Sequence, residues 1–133
     1  MGNENIEIIP VKSPAAGTWH RDCELIRFNF AKGNVVLEVR KDSNDTKWEV
    51  SFPVSAFKWY TEENPAREDL KLKGPVKGGF FEVKNSPWVA EHDKVESKFP
   101  NSPKMRHFIY YCYDDIFEFM ADSFEVYPLE SGN

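Results

Sequence analysis

Three consecutive runs of alternating apolar and polar residues between positions 25 and 52 constrain the fold of this chain more than any other feature. The apolar positions are Ile26, Phe28 and Phe30 in the first run, Val35, Leu37 and Val39 in the second, and Trp48, Val50 and Phe52 in the third. A period of two is typical of half-buried β-strands. The first polar break contains Gly33 and Asn34, which tolerate the positive φ of a tight turn. The pattern therefore predicts an antiparallel three-stranded meander.

The segment 107–113 predicts a central strand, because apolar side chains occupy both of its parities. A strand of this kind is covered on both faces. Asp114 and Asp115 then favour a turn, and renewed alternation between 116 and 126 extends the sheet. The remaining strand candidates lie at 6–11, 57–60 and 80–83, and a helical turn over 55–63 is the alternative to the second of them.

Two helix starts are predicted from a capping side chain followed by proline, the residue favoured at the first helical position. Asn64-Pro65 predicts a single helical turn. Ser86-Pro87 predicts a longer helix, whose buried face would carry Trp88, Val95 and Phe99.

These elements predict a mostly β chain in which the antiparallel meander closes into a sandwich or an open barrel, with one or two short helices. At 133 residues the chain suits one domain, so residues 1–133 are expected to form a single domain. Hydrophobic residues make up 41% of the sequence, enough apolar area to offset the entropy of ordering the body of the chain.

The charge of the chain indicates the class of its partner. The net charge of -5 disfavours nucleic acid and anionic membranes, since phosphate binding needs a positive surface. It suits a basic protein better. The N-terminal residues include neither a basic segment nor a long apolar stretch, so we expect no signal peptide, no membrane span and a cytoplasmic location.

Catalytic and metal-binding patterns are weak in this sequence. Cys112 and His107 lie five residues apart on a predicted strand, so they point to opposite faces. The segment 91–93, Glu-His-Asp, diverges by about 100° per residue on a helix and does not converge on one ion. A pair of His20 and His107 as general base and acid has no further support. We therefore expect no enzyme, no metal and no cofactor.

The two cysteines, Cys23 and Cys112, both lie in apolar surroundings. Buried thiols in a reducing compartment are the simplest expectation. A disulfide between the two is an alternative that their spacing does not decide.

The segment 107–119 concentrates aromatic and acidic residues. It holds seven aromatic rings, counting the imidazole of His107, and three carboxylates, and no Lys or Arg follows Arg106. Either the rings fill the core and the acids lie in turns, or part of the segment is a docking face on which rings supply contact area and acids select a basic partner. The residues predicted for such a face are Tyr111, Tyr113, Asp114, Asp115 and Glu118.

The segments 85–88, with the sequence Asn-Ser-Pro-Trp, and 107–118 resemble small bacterial immunity proteins, the cognate partners of secreted or contact-delivered toxins. The resemblance covers roughly the last 50 residues and implies a cytoplasmic, acidic domain that neutralises a toxin by covering its active site or an essential surface. Many such toxins are basic nucleases, so the resemblance implies a basic toxin as partner.

Two other functions are compatible with the sequence. In the first, the sheets enclose an aromatic pocket for a small molecule, which four tryptophans would permit. An enzyme of unrecognised type would use His20, His107 or the carboxylates, and its groups would converge in a cleft.

Overall fold

The computed structural model describes residues 6–17, 23–41, 46–61, 79–96, 104–113 and 115–129. Its elements in chain order are β1 (Glu7–Pro10), β2 (Cys23–Ala31), β3 (Asn34–Lys41), β4 (Lys47–Thr61), β5 (Phe80–Lys84), α1 (Pro87–Glu96), β6 (Arg106–Tyr111), β7 (Asp115–Ala121) and β8 (Glu125–Leu129). The predicted mostly β fold is confirmed, and α1 is the one helix within the described ranges.

The strands form one antiparallel sheet in the order β1-β5-β6-β7-β4-β3-β2, with β8 also paired to β4. The predicted meander is confirmed as β2, β3 and β4, which pair in sequence order. The predicted central strand is β6, which lies between β5 and β7 and is buried on both faces. Among the described residues β1 and β2 do not pair with each other, so the sheet is not closed into a barrel.

A bend in β4 folds the sheet over itself. The first half of this 15-residue strand pairs with β3 as far as Pro53, and the second half pairs with β7 from Val54 onward. Proline lacks a backbone donor, and the register shifts between Val54 and Ala56, the signature of a β-bulge that bends a strand. The residues from 55 to 61 therefore continue β4 as a strand, as the sequence predicts for 57–60.

The core lies between the two halves of the folded sheet. Phe52, at the bend of β4, stacks on Phe119 of β7 with ring centroids 4.1 Å apart and meets Phe80 of β5 edge-on at 5.8 Å. At the far end, the backbone N–H of Tyr113 donates to the carbonyl of Cys23, which joins β2 to the β6–β7 turn. The bend thus lets β2 and β3 cover β6 and β7.

The β2–β3 turn differs in detail from the prediction. Positive φ falls on Lys32 (54°) and Gly33 (79°), whereas Ala31 and Asn34 pair with each other as the ends of the strands. Two central residues with positive φ match the right-handed twist of a two-residue hairpin. Asn34 was expected to share the positive φ, and that expectation is wrong because Asn34 opens β3.

Helix α1 begins where the capping signal predicts. The backbone N–H of Val89 donates to the Oγ of Ser86 at 3.3 Å, which satisfies a donor at the first turn. The predicted buried face is wrong for Val95, which is 63% exposed because the half-buried residues of α1 lie in its first six positions. Phe99 and the helical turn predicted after Pro65 lie outside the described residues.

Candidate functional site

Four aromatic side chains form a continuous row where β2 crosses the second half of β4. Alternation along each strand places Phe28 and Phe30 on one face of β2, and Phe57 and Trp59 on one face of β4. Ring centroids lie 4.6 Å apart for Phe28 and Trp59 and 5.0 Å apart for Phe30 and Phe57. We call these four residues the aromatic strip.

The aromatic strip is exposed because it lies on the open side of the folded sheet. Phe30 is 50% exposed and Trp59 is 46% exposed. Within the described ranges, β3 ends opposite Pro53 and β2 pairs only with β3, so one edge of β4 beyond Pro53 and the outer edge of β2 have no strand partner. Exposed apolar side chains in a contiguous group are typical of a binding surface.

The buried base of the aromatic strip holds it in place. Phe28 stacks on Phe117 of β7 with ring planes 4° apart and centroids 5.9 Å apart. Trp59 lies 5.2 Å from the same Phe117 ring. The strip is therefore the outer margin of the core, and its rings are presented without a loop that must become ordered on binding.

An acidic residue lies at one end of the aromatic strip. The indole Nε1–H of Trp59 donates to Oδ1 of Asp115 at 2.7 Å. Tyr113, which lies between β6 and the start of β7 at Asp115, is 52% exposed. In the part of the chain that the structure describes, no Lys, Arg or His forms an ion pair with Asp115.

The predicted binding residues separate into two groups. Tyr113 and Asp115 lie on the surface beside the aromatic strip, whereas Asp114 lies outside the described residues. Tyr111 and Glu118 are only 6% and 3% exposed, so they do not belong to an exposed docking face as the sequence predicted. Their side chains point to the opposite face of the sheet, where Tyr111 packs edge-on against Phe81 at 5.9 Å.

Glu118 belongs instead to a buried series of hydrogen-bonded side chains beneath α1. The Oγ of Ser86 lies 2.7 Å from Nδ1 of His107, and Nε2 of His107 lies 2.6 Å from Oε1 of Glu118. Because an ionised carboxylate only accepts, the N–H at Nε2 of His107 donates to Glu118. We call these three residues the Ser–His–Glu network.

The Ser–His–Glu network contains the same groups as a serine hydrolase triad, but its surroundings indicate a structural role. Ser86 is 5% exposed, and its Oγ already caps α1. The ring of Trp88 covers His107 edge-on at 5.0 Å, and the ammonium of Lys58 lies 4.5 Å from the Trp88 ring centroid. The network therefore fastens the start of α1 to β6 and β7.

An open cleft of about 510 Å³ borders this network, and Ser86 and His107 belong to its lining. Eight of the twelve described residues that line it are charged or polar. Arg106 donates to both carboxylate oxygens of Glu82 at 2.8 and 3.0 Å, and Lys84 donates to Glu82 at 3.2 Å. The bond from Arg106 is the main cause that lowers the pKa of Glu82. The charges of this cleft are thus largely satisfied by one another.

The pKa of Glu118 reflects two opposed effects. Burial of its carboxyl raises the pKa, but the hydrogen bond and charge of His107, aided by Tyr60 and Lys58, outweigh burial and lower it below 4.5. Glu118 is therefore ionised near neutral pH, which agrees with its role as the acceptor of the imidazole proton.

The two cysteines meet inside the core as buried thiols with no disulfide between them, which confirms the expectation of buried thiols. The reducing compartment stays a prediction. The hydrogen bond with Cys23, followed by burial, raises the pKa of Cys112 well above its ordinary value. Cys112 contacts Cys23 while His107 contacts Ser86 and Glu118, so the sequence-based separation of Cys112 from His107 is also confirmed.

The described ranges hold no cluster of three His, Cys, Asp or Glu side chains positioned to bind a metal ion. Nor does α1, the helix they contain, have the length and apolar character needed to cross a membrane.

Sequence reasoning missed the aromatic strip as a site. It placed Phe28 in a half-buried strand and Phe57 and Trp59 in another, which is where they lie, but it gave no reason for exposure. Strand alternation reports which residues share a face; it does not report where a neighbouring strand ends, and the end of β3 opposite Pro53 leaves the strip open.

Comparison with protein-family models, with curated proteins and with solved structures gives no significant match to this chain.

Proposed function

We propose that this chain is an inhibitory binding protein of the immunity type, which neutralises a cognate bacterial toxin by covering its active site or an essential surface. The observation that carries the proposal is the exposed aromatic strip, beside which one edge of β4 and the outer edge of β2 have no strand partner among the described residues. The proposed partner is a basic protein, and a basic nuclease is the expected class.

The aromatic strip has the chemistry of a protein-binding hot spot. Interfaces are enriched in aromatic side chains near their centres, and a few such residues dominate the binding energy. The strip offers Phe30 and Trp59 as anchors that are half exposed before binding and supported from below by Phe28. The strand edges beside the rings, unpaired within the described ranges, add backbone donors and acceptors that a partner strand can use.

Charge supports a basic partner over other classes. The chain carries 22 acidic and 17 basic residues, and the aromatic strip ends at a carboxylate, Asp115. Opposite charge raises the rate of association and penalises wrong partners, although it contributes less to affinity than the buried rings do. Nucleic acid and anionic membranes are disfavoured on the same ground.

The resemblance to immunity proteins supports the proposal through residues that maintain the fold, and not through the binding surface. The segments on which it rests, 85–88 and 107–118, supply all three members of the Ser–His–Glu network and the turn that holds Asp115. These residues fix the fold. All four residues of the aromatic strip, which carries the proposed binding surface, lie outside the resembling segments.

This geometry does not support the alternative function, an aromatic pocket for a small molecule. The rings of the aromatic strip pack against one another, with Phe28 only 4.6 Å from Trp59 and 5.8 Å from Phe57, so no ligand fits between them. The cleft that borders the Ser–His–Glu network is not an aromatic pocket, because none of the described residues that line it is Phe, Tyr or Trp.

The test is a binding measurement with the protein encoded by the adjacent upstream gene. We expect a stable complex whose affinity falls with added salt, and inhibition of that protein's activity. Phe30→Thr should weaken the complex at least about tenfold, as loss of a hot-spot ring does. Its free energy of unfolding should change by no more than about 1 kcal/mol, because threonine suits a strand and half of the ring is already in water.

Val95→Ala is the matched control, since Val95 is an exposed apolar residue on α1, away from the aromatic strip. It should leave affinity unchanged. Absence of any complex, or a Phe30→Thr variant that binds like the wild type, would contradict the proposal.

A further inference from the structure

We infer that Trp59 and Asp115 together form a binding site for an arginine side chain of the partner, presented on an extended segment that lies along the aromatic strip. The inference rests on the proposed function, since it names the chemistry of the partner at one end of the same surface.

The first observation is the pairing of an exposed ring with a carboxylate. Nearly half of Trp59 is in contact with solvent, and its indole N–H donates to Oδ1 of Asp115 at 2.7 Å. This bond fixes the ring and the acid relative to each other. A cation that contacts the exposed part of the ring is therefore held close to a negative charge.

The second observation is that the charge of Asp115 is not neutralised within the described part of the chain. The side-chain contact found for its carboxylate there is with the indole of Trp59, which carries no charge. Lys58, next to Trp59 in sequence, points to the opposite face of β4 and lies over the Trp88 ring. The acid is thus available to an external cation.

Arginine fits this pair better than lysine does. A guanidinium is planar, so it can stack on an aromatic ring while its N–H groups donate to a carboxylate. An ammonium is a compact and strongly hydrated charge that gains less from the ring. Trp is also the aromatic side chain that attracts cations most strongly.

The geometry of the strip indicates that the arginine belongs to an extended segment. Phe57 and Trp59 lie two residues apart on β4, and Phe28 and Phe30 lie two residues apart on β2. Successive same-face side chains of an added strand have that same period of two. An arginine seated at Trp59 would therefore place the next same-face side chain of its strand near Phe57.

The test uses the full chain, labelled with ¹⁵N, and two blocked peptides, tri-arginine amide and tri-lysine amide. The indole N–H resonance of Trp59, assigned with Trp59→Phe, reports binding. We expect this resonance to shift with tri-arginine and to give an affinity at least about threefold higher than tri-lysine gives. Asp115→Asn, which keeps an oxygen to accept the indole N–H, should weaken tri-arginine binding at least about fivefold.

Asp122→Asn is the matched control, because Asp122 is an exposed acid just past the opposite end of β7. It should bind tri-arginine like the wild type. The inference is overturned if the Trp59 resonance does not respond, if the two peptides bind equally well, or if Asp115→Asn binds as the wild type does. Thermal unfolding of each variant shows whether it is folded.

The two proposals fail separately. If Phe30→Thr loses the toxin complex while Asp115→Asn keeps it at full affinity, the proposed function stands and the arginine site is wrong. If the peptide titration succeeds but no complex forms with the adjacent gene product, the proposed function is wrong and the arginine site stands as a property of the chain.

Discussion

The Ser–His–Glu network and the aromatic strip use neighbouring residues of the same strands in opposite ways. On β7, Glu118 points into the network and Phe117 points to the base of the strip; on β4, Lys58 lies over Trp88 and Trp59 belongs to the strip. In the network, polar groups are buried and each has a partner. In the strip, apolar groups are exposed and only partly covered.

This contrast separates the residues that maintain the fold from those available for binding. A buried polar group costs free energy unless it is paired. A buried network in which every polar group has a hydrogen-bond partner is therefore evidence of a structural role. The exposed part of an aromatic ring is not stabilised by burial in the fold. A row of such rings beside strand edges that lack a partner in the described ranges therefore indicates a surface that is stabilised when a partner covers it.

The largest expected effect is that of His107→Ala, which removes the central member of the network. It leaves the carboxylate of Glu118, only 3% exposed, without its imidazole partner. Leaving this buried carboxylate uncompensated should lower the free energy of unfolding by about 3–5 kcal/mol. Chemical denaturation measures the change, and the affinity of the folded fraction for the partner should not fall.

Val95→Ala again serves as the control and should change stability by no more than about 0.5 kcal/mol. A His107→Ala variant that is as stable as the wild type would mean that the network does not hold the fold. A His107→Ala variant that folds but no longer binds the partner would indicate that the binding surface lies on the α1 side of the sheet.

A smaller effect is expected from acid. Since the pKa of Glu118 is lowered in the folded protein, its contribution to stability is complete above the ordinary value near 4.5 and is lost as the pH falls through the folded-state value. Glu82, whose pKa is also lowered, adds to the same trend. The free energy of unfolding should therefore decrease below pH 4.5.

Glu118→Gln sharpens this expectation, because glutamine still accepts the imidazole N–H but does not titrate. Denaturation curves between pH 3 and pH 6 should show a weaker acid dependence for Glu118→Gln than for the wild type. Identical pH dependence in the two proteins would show that the ionisation of Glu118 does not couple to folding.

The sequence predicted the elements well wherever a local pattern determines them. Alternation located β2, β3 and the first half of β4, and the Ser86-Pro87 signal located the start of α1. These features depend on a few neighbouring residues. The bend at Pro53 was not predicted, because it follows from the end of β3 and a bulge that appear only when the strands are paired.

The site was harder to predict for the same reason. Tyr111, Tyr113, Asp115 and Glu118 are close in sequence, but alternation and the β6–β7 turn send Tyr111 and Glu118 to a covered face and leave Tyr113 and Asp115 near the surface. The aromatic strip joins residues from β2 and β4 that are almost 30 positions apart. Contacts of that separation depend on topology, which composition and periodicity do not encode.

Hydrogen–deuterium exchange of the chain, alone and in complex with the adjacent gene product, tests the central claim most directly. We expect slower amide exchange on binding in β2 and in residues 55–61 of β4, which border the aromatic strip, and unchanged exchange in α1 and β5. Protection confined to α1 and β5, with β2 and β4 unaffected, would contradict the assignment of function to the aromatic strip.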